Sequence, residues 1–250
     1  MKYKRYDKDY DYSYSFGQFP TIELIKSGKA NILSIICHEK LKLSPEIEKI
    51  FDYCKQNGIE IIWSSKQIEA ICGKENCYLV GVFSKYNDKI KQGNHIVLVS
   101  PSDSGNLGTI IRTMLGRNIE NLAIIESGKK TDNEIELKKS NTSVDIFNPK
   151  VIRASMGSIF NINIEIFHSF DDYKKRFNNK CFAFCLEGSS PLESIEKPRE
   201  NFSLVFGNEA TGLPSEIVAK CSPVRITQSS KIDSFNLAIS VAMAIYEFTK

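Results

Sequence analysis

The sequence predicts a soluble α/β protein of two domains, the second of them built on a mostly parallel sheet. Its 250 residues exceed the roughly 150 that are typical of a single domain. Short β-branched segments alternate with helical patterns along the chain, which indicates parallel strands with helices on both faces of the sheet. A polar stretch at residues 85–94 separates two such series and predicts a linker.

The first series predicts a small α/β domain over residues 14–84. Its predicted strands are 32–36, 59–63 and 78–83, and its predicted helices are 45–56 and 66–71. Residues 1–13 are predicted to be a frayed N-terminal tail. Tyrosines from Tyr3 to Tyr14 are interspersed with basic residues there, so binding of single-stranded nucleic acid is the alternative role for this tail.

The second series predicts one larger domain over residues 95–250. Strands are predicted at 96–99, 122–125, 162–167, 181–186, 202–206 and 224–226. Helices are predicted at 108–115, 149–157, 170–177, 214–220 and 234–248. Residues 128–141 are polar and charged, which predicts an exposed loop.

The net charge of the chain does not identify a partner by itself. Lys and Arg number 33 against 30 Asp and Glu, a formal charge of +3. The whole excess lies in residues 1–92, which carry 15 basic and 12 acidic side chains. If the partner is a polyanion, this first part is the expected contact surface, with Lys26, Lys29 and Lys85 among its bases. A solvated surface explains the same bias.

The cysteines predict reduced thiols in an intracellular protein. There are seven, without a C-x-x-C pair, and only three histidines accompany them, so no metal site is expected. The first twenty residues lack the apolar segment of a secretory signal, and the longest apolar stretch is far shorter than the roughly 20 residues of a membrane span. A cytoplasmic location follows as an expectation.

Three segments interrupt the strand and helix pattern with polar residues and glycine. In the first, residues 102–113, Asn106 is expected near a helix N-cap, and Arg112 interrupts an apolar helix face. Taken alone, these two residues are typical of a helix cap and of a surface arginine.

The second segment, residues 204–214, runs from a strand into a turn that is flanked by Gly207 and Gly212. The Lys-Ser/Thr pair of a phosphate-binding loop is missing there, and no G-x-G-x-x-G follows any strand, which argues against both kinds of nucleotide site. The third segment, residues 226–246, leads a polar loop into a helix rich in small residues, with Ser234 as the expected N-cap.

In this order and spacing, the three segments resemble the signature motifs of the SpoU (TrmH) family of RNA ribose methyltransferases, within the SPOUT superfamily. Residues 147–160 resemble the segment that the family places between its first two motifs. Residues 14–83 resemble the small ribosomal-protein-like substrate-binding domain of many members. The resemblance implies a deep trefoil knot in the C-terminal domain, S-adenosyl-L-methionine as cofactor, an RNA substrate and a homodimer, with neither a metal nor a membrane involved.

The resemblance also implies the site residues and the reaction. The catalytic set that it implies is Arg112, Asn106, Glu209, Ser234 and Asn236. The cofactor-binding set that it implies is Leu186, Glu187, Gly188, Phe206, Gly207, Asn208, Gly212, Leu213, Ile226, Thr227, Ser234 and Phe235. A ribose 2′-oxygen would attack the methyl carbon of the sulfonium, and Arg112 would either stabilise the emerging alkoxide or act as a base once its environment allows it.

Two alternative functions stay open on the sequence. One is a non-catalytic module that binds RNA or assists ribosome assembly on the same fold. The other is a methyltransferase that protects the ribosome against an antibiotic, since such enzymes share these motifs. The substrate, whether ribosomal or transfer RNA, does not follow from the residues.

Overall fold

The computed structural model describes residues 3–73, 76–126, 144–186 and 190–250. The strands are β1 Tyr12–Phe16, β2 Ile32–Cys37, β3 Glu60–Trp63, β4 Leu79–Ser84, β5 His95–Val99, β6 Asn121–Ile125, β7 Asn163–Phe167, β8 Lys180–Phe184, β9 Ser190–Pro191, β10 Phe202–Phe206 and β11 Ser222–Arg225. The α-helices are α1 Gln18–Ser27, α2 Pro45–Gln56, α3 Ser65–Cys72, α4 Ser104–Gly116, α5 Pro149–Ala154, α6 Phe170–Arg176, α7 Ser215–Val218 and α8 Leu237–Thr249. Short 3₁₀ helices occupy Ser158–Asn161 and Leu192–Ser194. The predicted exposed loop 128–141 lies outside the described residues.

The chain divides into two compact units. The first comprises the described part of residues 1–86 together with Asp145–Asn161, and the second comprises the remainder. The sequence interpretation had assigned residues 145–161 to the domain 95–250, whereas their contacts group them with the first unit. The Phe83 ring packs edge-on against Phe147 and Phe160, and the amide of Asn161 donates to Glu23 over 2.8 Å. The predicted domain boundaries stay a prediction.

The first unit is built on a four-stranded sheet in the order β1-β4-β2-β3. Strand β4 runs antiparallel to both of its neighbours, and β2 and β3 are parallel. Ser44 and Ser64 cap α2 and α3, because each hydroxyl accepts a hydrogen bond from a backbone N–H in the first turn. Strand β1 was not predicted, since its residues fall at the end of the supposed tail.

The expectation of a frayed N-terminal tail is wrong. Tyr3 is 7% exposed and belongs to a core cluster with Tyr14, Ile36 and Val80. The hydroxyl of Tyr14 donates to the carbonyl of Lys4. Sequence patterns missed this packing because the partners of Tyr3 lie on distant strands.

Lys85 is also part of this packing rather than of the basic surface. Its side chain is only 17% exposed, and its Nζ donates to the carbonyl of Lys8 over 2.8 Å and lies 4.9 Å from the centre of the Tyr6 ring. Burial lowers the pKa of Lys85, although the nearby Asp145 carboxylate opposes that shift. The expectation that Lys85 contacts a polyanion is therefore not supported by its position.

The second unit confirms the predicted α/β class with a parallel sheet. Its seven strands run in the order β7-β6-β5-β10-β8-β11-β9, and every adjacent pair is parallel. All residues of β5, β6 and β10 are buried, as expected for strands that are covered on both faces. The trefoil knot stays a prediction. None of the described helices is long and apolar enough to span a membrane.

Candidate active site

Four loops of the second unit leave the parallel sheet at one edge. They follow β5, β8, β10 and β11, and because these strands are parallel and adjacent, their carboxyl ends lie side by side. Open α/β sheets bind ligands at this edge, outside the carboxyl ends of the strands. All three polar segments that the sequence singles out contribute to these loops.

The first loop places Asn106 inside helix α4 rather than at its cap. Asp103 is the N-cap, and its carboxylate accepts a hydrogen bond from the backbone N–H of Asn106 over 2.7 Å. The expected capping role of Asn106 is therefore wrong. Because Asp103 satisfies the end of the helix, the side-chain amide of Asn106 remains available for contacts with other segments.

Glu209 ties the loop after β10 to the loop after β5. Its carboxylate accepts hydrogen bonds from the Ser102 hydroxyl at 2.8 Å, the Ser102 N–H at 3.2 Å, the Asp103 N–H at 3.3 Å and the Asn106 amide at 3.1 Å. Burial alone would raise the pKa of Glu209, but these hydrogen bonds outweigh burial and the pKa is lowered. Glu209 is therefore an ionised carboxylate that holds two loops together.

Asn236 adds the third segment to the same network. Its amide nitrogen donates to the side-chain oxygen of Asn106 over 2.9 Å. Its own oxygen caps helix α8 by accepting from the N–H groups of Ala238 and Ile239. The helix thus begins at Leu237 and not at Ser234, so the predicted N-cap role of Ser234 is wrong. Asn106 stands between Glu209 and Asn236, and the three side chains join all three segments.

The other two members of the implied catalytic set lie outside this network. Arg112 is exposed on α4, and among the described residues its guanidinium has no hydrogen bond or ion pair. Ser234 is exposed in the loop between β11 and α8 and is likewise unbonded there. Both side chains are available to an incoming ligand.

Gly207 allows an unusually close approach of backbone to backbone after β10. A Cβ atom at this position would lie 2.1 Å from the carbonyl carbon of Gly212 and 2.4 Å from the nitrogen of Leu213. The two sides of the turn are also paired, because Asn208 and Gly212 exchange backbone hydrogen bonds of 2.9 and 3.2 Å. Only glycine fits here without displacing the turn.

The remaining residues of the implied cofactor-binding set differ in solvent exposure. Leu186 and Thr227 are exposed, while Leu213, Ile226 and Phe235 are half-buried. Phe206 is buried and its ring stacks on Phe184, so only its backbone faces the edge of the sheet. The side-chain amide of Asn208 donates to the carbonyl of Ser100, directly after β5, over 2.8 Å, so this side chain is used within the protein. Glu187 and Gly188 lie outside the described residues.

Sequence reasoning missed Ser102 and Asp103 as members of the site. Ser102 supplies two of the four hydrogen bonds that hold Glu209, and Asp103 sets where α4 begins. A run of cap-forming residues before the helix was the available signal, but it offered several candidates for one cap position. Among the described residues, no group of three or more His, Cys, Asp or Glu side chains could hold a metal ion.

Comparison with protein-family models gives two matches. The model described as the SpoU rRNA Methylase family matches residues 93–246, which is more than half of the chain. The model described as RNA 2′-O ribose methyltransferase substrate binding matches residues 15–76. The two matches follow one another along the chain in the predicted order.

Individual relatives are similar at lower identity. The tRNA (cytidine-2′-O-)-methyltransferase TrmJ of Methanocaldococcus jannaschii is 31% identical over 157 residues, which cover 62% of this chain and 67% of that protein. The 23S rRNA (guanosine(2553)-2′-O)-methyltransferase RlmP of Bacillus subtilis is 24% identical over 163 residues, which cover 64% of this chain and 59% of that protein. The chain thus spans less than two thirds of the length of this second relative.

Solved structures agree on the fold of the whole described chain. A crystal structure of an AdoMet-bound rRNA methyltransferase from Sinorhizobium meliloti matches with a TM-score of 0.77 at 24% identity, covering 95% of this chain and 87% of that one. At this identity the likeness establishes the fold, including the smaller N-terminal part, and not the activity.

Proposed function

The chain belongs to the SpoU rRNA methylase family, and from that premise we propose that it transfers a methyl group from S-adenosyl-L-methionine to a ribose 2′-hydroxyl of ribosomal or transfer RNA. The observation that carries the proposal is the hydrogen-bonded series Glu209, Asn106 and Asn236. It joins the three motif segments at the ligand-binding edge of the sheet, and among the described residues Arg112 and Ser234 of the same segments are exposed and unpartnered. An RNA substrate is consistent with the names of the relatives, which act on rRNA and tRNA.

Arg112 has the chemistry that the reaction needs. When bound, S-adenosyl-L-methionine supplies an electrophilic methyl group. The proton of the attacking ribose hydroxyl passes to water or to the adjacent RNA phosphate. A guanidinium donates hydrogen bonds and accepts none, so Arg112 stabilises the developing negative charge on the ribose oxygen and orients the adjacent phosphate. Such preorganised stabilisation of developing charge is a large term in catalysis.

Asn106, Asn236 and Glu209 act by positioning. Asn106 lies two helical turns before Arg112 on α4, and its amide is held from both sides by Glu209 and Asn236. This fixes the start of α4 relative to the loops after β10 and β11. The reacting groups then meet in a defined geometry, which supplies much of the acceleration in two-substrate reactions.

The residues at the edge of the sheet fit the cofactor. The paired turn of Gly207–Gly212 offers backbone groups close to the sheet edge, and the apolar side chains of Leu186 and Phe235 offer surfaces for the adenine and ribose. The proposed pocket is therefore lined by Leu186, Phe206, Gly207, Gly212, Leu213, Ile226, Thr227, Ser234 and Phe235. Asn208 belongs to it through its backbone alone, and Glu187 and Gly188 complete the proposed set.

A homodimer is proposed for the working enzyme. The small residues of α8 are used within the chain, because Ala238 and Ala244 are buried. The opposite face exposes Ile239, Met243 and Tyr246, which follow one another at the spacing of one helix face. A second copy of the chain is the proposed partner for this face. The proposed working location is the cytoplasm.

The proposal is tested by offering the purified protein radiolabelled S-adenosyl-L-methionine with ribosomal and with transfer RNA, each isolated from cells that lack this protein. Labelled nucleotides from one of the two RNAs should resist alkaline cleavage, because methylation removes the 2′-hydroxyl that alkaline cleavage requires. Mass mapping then identifies the nucleotide. Lack of transfer to either RNA by folded protein, together with lack of cofactor binding in calorimetry, would support the non-catalytic module instead.

A further inference from the structure

Two cysteines lie side by side at the amino-terminal edge of the parallel sheet. Strands β8 and β11 are adjacent and parallel, and their register pairs Phe182 with Ser222. Cys181 on β8 and Cys221, the residue immediately before β11, each precede this pair by one residue, so the two cysteines are neighbours. Adjacent strands are about 4.8 Å apart, within the span of Cα atoms that a disulfide bridges.

A lysine lies next to one of the two sulfur atoms. The Nζ of Lys174, on helix α6, lies 3.6 Å from the Sγ of Cys181 and is anchored by donating to the carbonyl of Asn179 over 2.9 Å. The neighbouring Cys221 thiol and the Lys174 ammonium lower the pKa of Cys181 against the effect of burial. Proximity to Cys181 and burial raise the pKa of Cys221. The cation beside Cys181 thus favours its thiolate, the reactive form of cysteine.

Exposure limits which oxidant reaches this pair. Cys181 is 5% exposed and Cys221 is half-buried. A bulky disulfide reagent does not fit such a site, whereas hydrogen peroxide is about the size of a water molecule. An activated thiolate beside a second thiol is also the arrangement in which a sulfenic acid condenses to a disulfide.

Another cysteine pair of the same chain provides the contrast. Cys37 on β2 and Cys54 on α2 belong to one core cluster and both have 0% exposure. Burial raises the pKa of Cys37 to about 12 and that of Cys54 to about 11. Within the described part of the chain no cation offsets burial in this pair, so both side chains remain protonated and unreactive.

We propose that Cys181 and Cys221 form a peroxide-reactive thiol pair that closes reversibly to a disulfide. The thiolate of Cys181 attacks one oxygen of hydrogen peroxide, the O–O bond breaks, and sulfenic acid and hydroxide form. The thiol of Cys221 then attacks the sulfenic sulfur, and its proton leaves with the departing hydroxide as water. Two thiols are oxidised by two electrons, and one peroxide is reduced to two waters. The inference is independent of the proposed methyl transfer.

The test treats the full-length protein with stoichiometric hydrogen peroxide at pH 7, blocks remaining thiols by alkylation, and maps disulfides by mass spectrometry. A peptide pair joined through Cys181 and Cys221 is expected, and it should disappear after reduction with dithiothreitol. Cys37 and Cys54 should be alkylated only after unfolding. The variant Cys185→Ser, which alters the third cysteine of this region, should leave the bridge in place.

A second variant separates the role of Lys174 from that of the sulfur atoms. Lys174→Met keeps both thiols but removes the cation, so the rate of disulfide formation at pH 7 should fall at least threefold. Lys175→Met, at the exposed neighbouring lysine that pairs with Asp172, should leave that rate unchanged. The proposal is overturned if peroxide leaves both thiols alkylatable, or oxidises Cys181 to a sulfinic acid without a bridge. It is also overturned if Lys174→Met reacts as fast as the natural protein.

Discussion

Polar side-chain networks lie at both ends of the strands of the seven-stranded sheet. The network at the amino-terminal ends (the amino edge) is buried, whereas the network at the carboxyl-terminal ends (the carboxyl edge) is exposed. At the amino edge, the ring nitrogen of His95 lies 2.8 Å from the Tyr173 hydroxyl, and that hydroxyl lies 2.6 Å from the Ser203 hydroxyl. All three side chains are fully buried. At the carboxyl edge, Glu209 and Asn236 are exposed although they are hydrogen-bonded. Strands β5 and β10 connect the two edges.

The difference follows from the cost of burying polar groups. A buried polar group without a partner is destabilising, and among the described residues no buried side-chain nitrogen or oxygen lacks one. The side chains of His95, Tyr173 and Ser203 therefore have their partners inside the fold, and this network contributes to stability. The carboxyl edge keeps donors and acceptors accessible to water, which a ligand can replace. Variants at the two edges should thus separate activity from stability.

The largest effect is expected from Arg112→Ala at the carboxyl edge. Loss of the guanidinium removes stabilisation of the developing charge, so the rate of methyl transfer should fall by about a hundredfold to a thousandfold. Cofactor affinity in calorimetry should stay within a factor of two, since Arg112 is assigned to the ribose. The matched control is Arg199→Ala, at another exposed arginine, which should transfer methyl at the normal rate. Near-normal transfer by Arg112→Ala would remove Arg112 from the reaction.

A smaller loss is expected from Gly207→Ala, which adds one methyl group. The new Cβ would lie 2.1 Å from backbone carbon, so the turn must move and the cofactor affinity should fall by about tenfold, or about 1.4 kcal/mol. Gly116→Ala is the control, because no atom within 4 Å would meet its Cβ. Calorimetry with S-adenosyl-L-methionine and thermal unfolding measure both variants. Unchanged affinity for Gly207→Ala would place the cofactor away from this turn.

The carboxyl edge could be predicted from the sequence only in part. Motif order placed Asn106, Glu209 and Asn236 in one site, and the structure joins them by hydrogen bonds. The catalytic role of Arg112 stays a prediction, and the caps of α4 and α8 were each assigned to the wrong residue. Local patterns offer Asp103 and Asn106 as equally good caps. The choice depends on Asn236, 130 residues away, whose amide donates to the Asn106 oxygen that a cap would otherwise use.

The polar network of the amino edge was not predicted, because nothing in the sequence shows that Tyr173 lies between His95 and Ser203. His95 and Tyr173 are 78 residues apart in the sequence, and Tyr173 and Ser203 are 30 residues apart. Burial of Tyr3 and the grouping of Asp145–Asn161 with the first unit escaped prediction for the same reason: packing between distant segments leaves no local periodicity.

A third variant, Tyr173→Phe, tests the assignment of the amino edge to stability. It removes the hydroxyl between His95 and Ser203 and leaves both without that partner, which should lower the free energy of unfolding by about 1–3 kcal/mol. Methyl transfer by the folded protein should be unchanged. Urea unfolding measures the free energy of unfolding. The control is Tyr78→Phe, at a tyrosine exposed to solvent, which should change the free energy of unfolding by less than about 0.5 kcal/mol. A stable Tyr173→Phe protein with reduced transfer would contradict the division between the edges.

The smallest effect expected is a pH dependence that originates at the amino edge. Burial lowers the pKa of His95, although a hydrogen bond to the carbonyl of Lys91 opposes the shift. In the unfolded chain the histidine pKa is near 6.5. Below that pH, the unfolded chain therefore binds a proton that the folded protein does not bind. Stability is complete above pH of about 6.5 and declines as the pH falls toward the folded-state pKa, by at most about 1.4 kcal/mol per pH unit.

Urea unfolding at pH 7.5, 6.5 and 5.5 measures this decline in stability. His95→Gln should reduce the decline. The control His168→Gln, at an exposed histidine, should leave it unchanged. The lowered pKa of Glu209 acts in the same direction, because its contribution is also lost as the pH falls, but it acts in another pH range. Its contribution is present above the ordinary glutamate pKa of about 4.3 and is lost only as the pH falls below that. Between pH 7.5 and 5.5 the amino edge therefore titrates and Glu209 does not. An equal slope in the natural protein and His95→Gln would mean that the buried imidazole does not control acid stability.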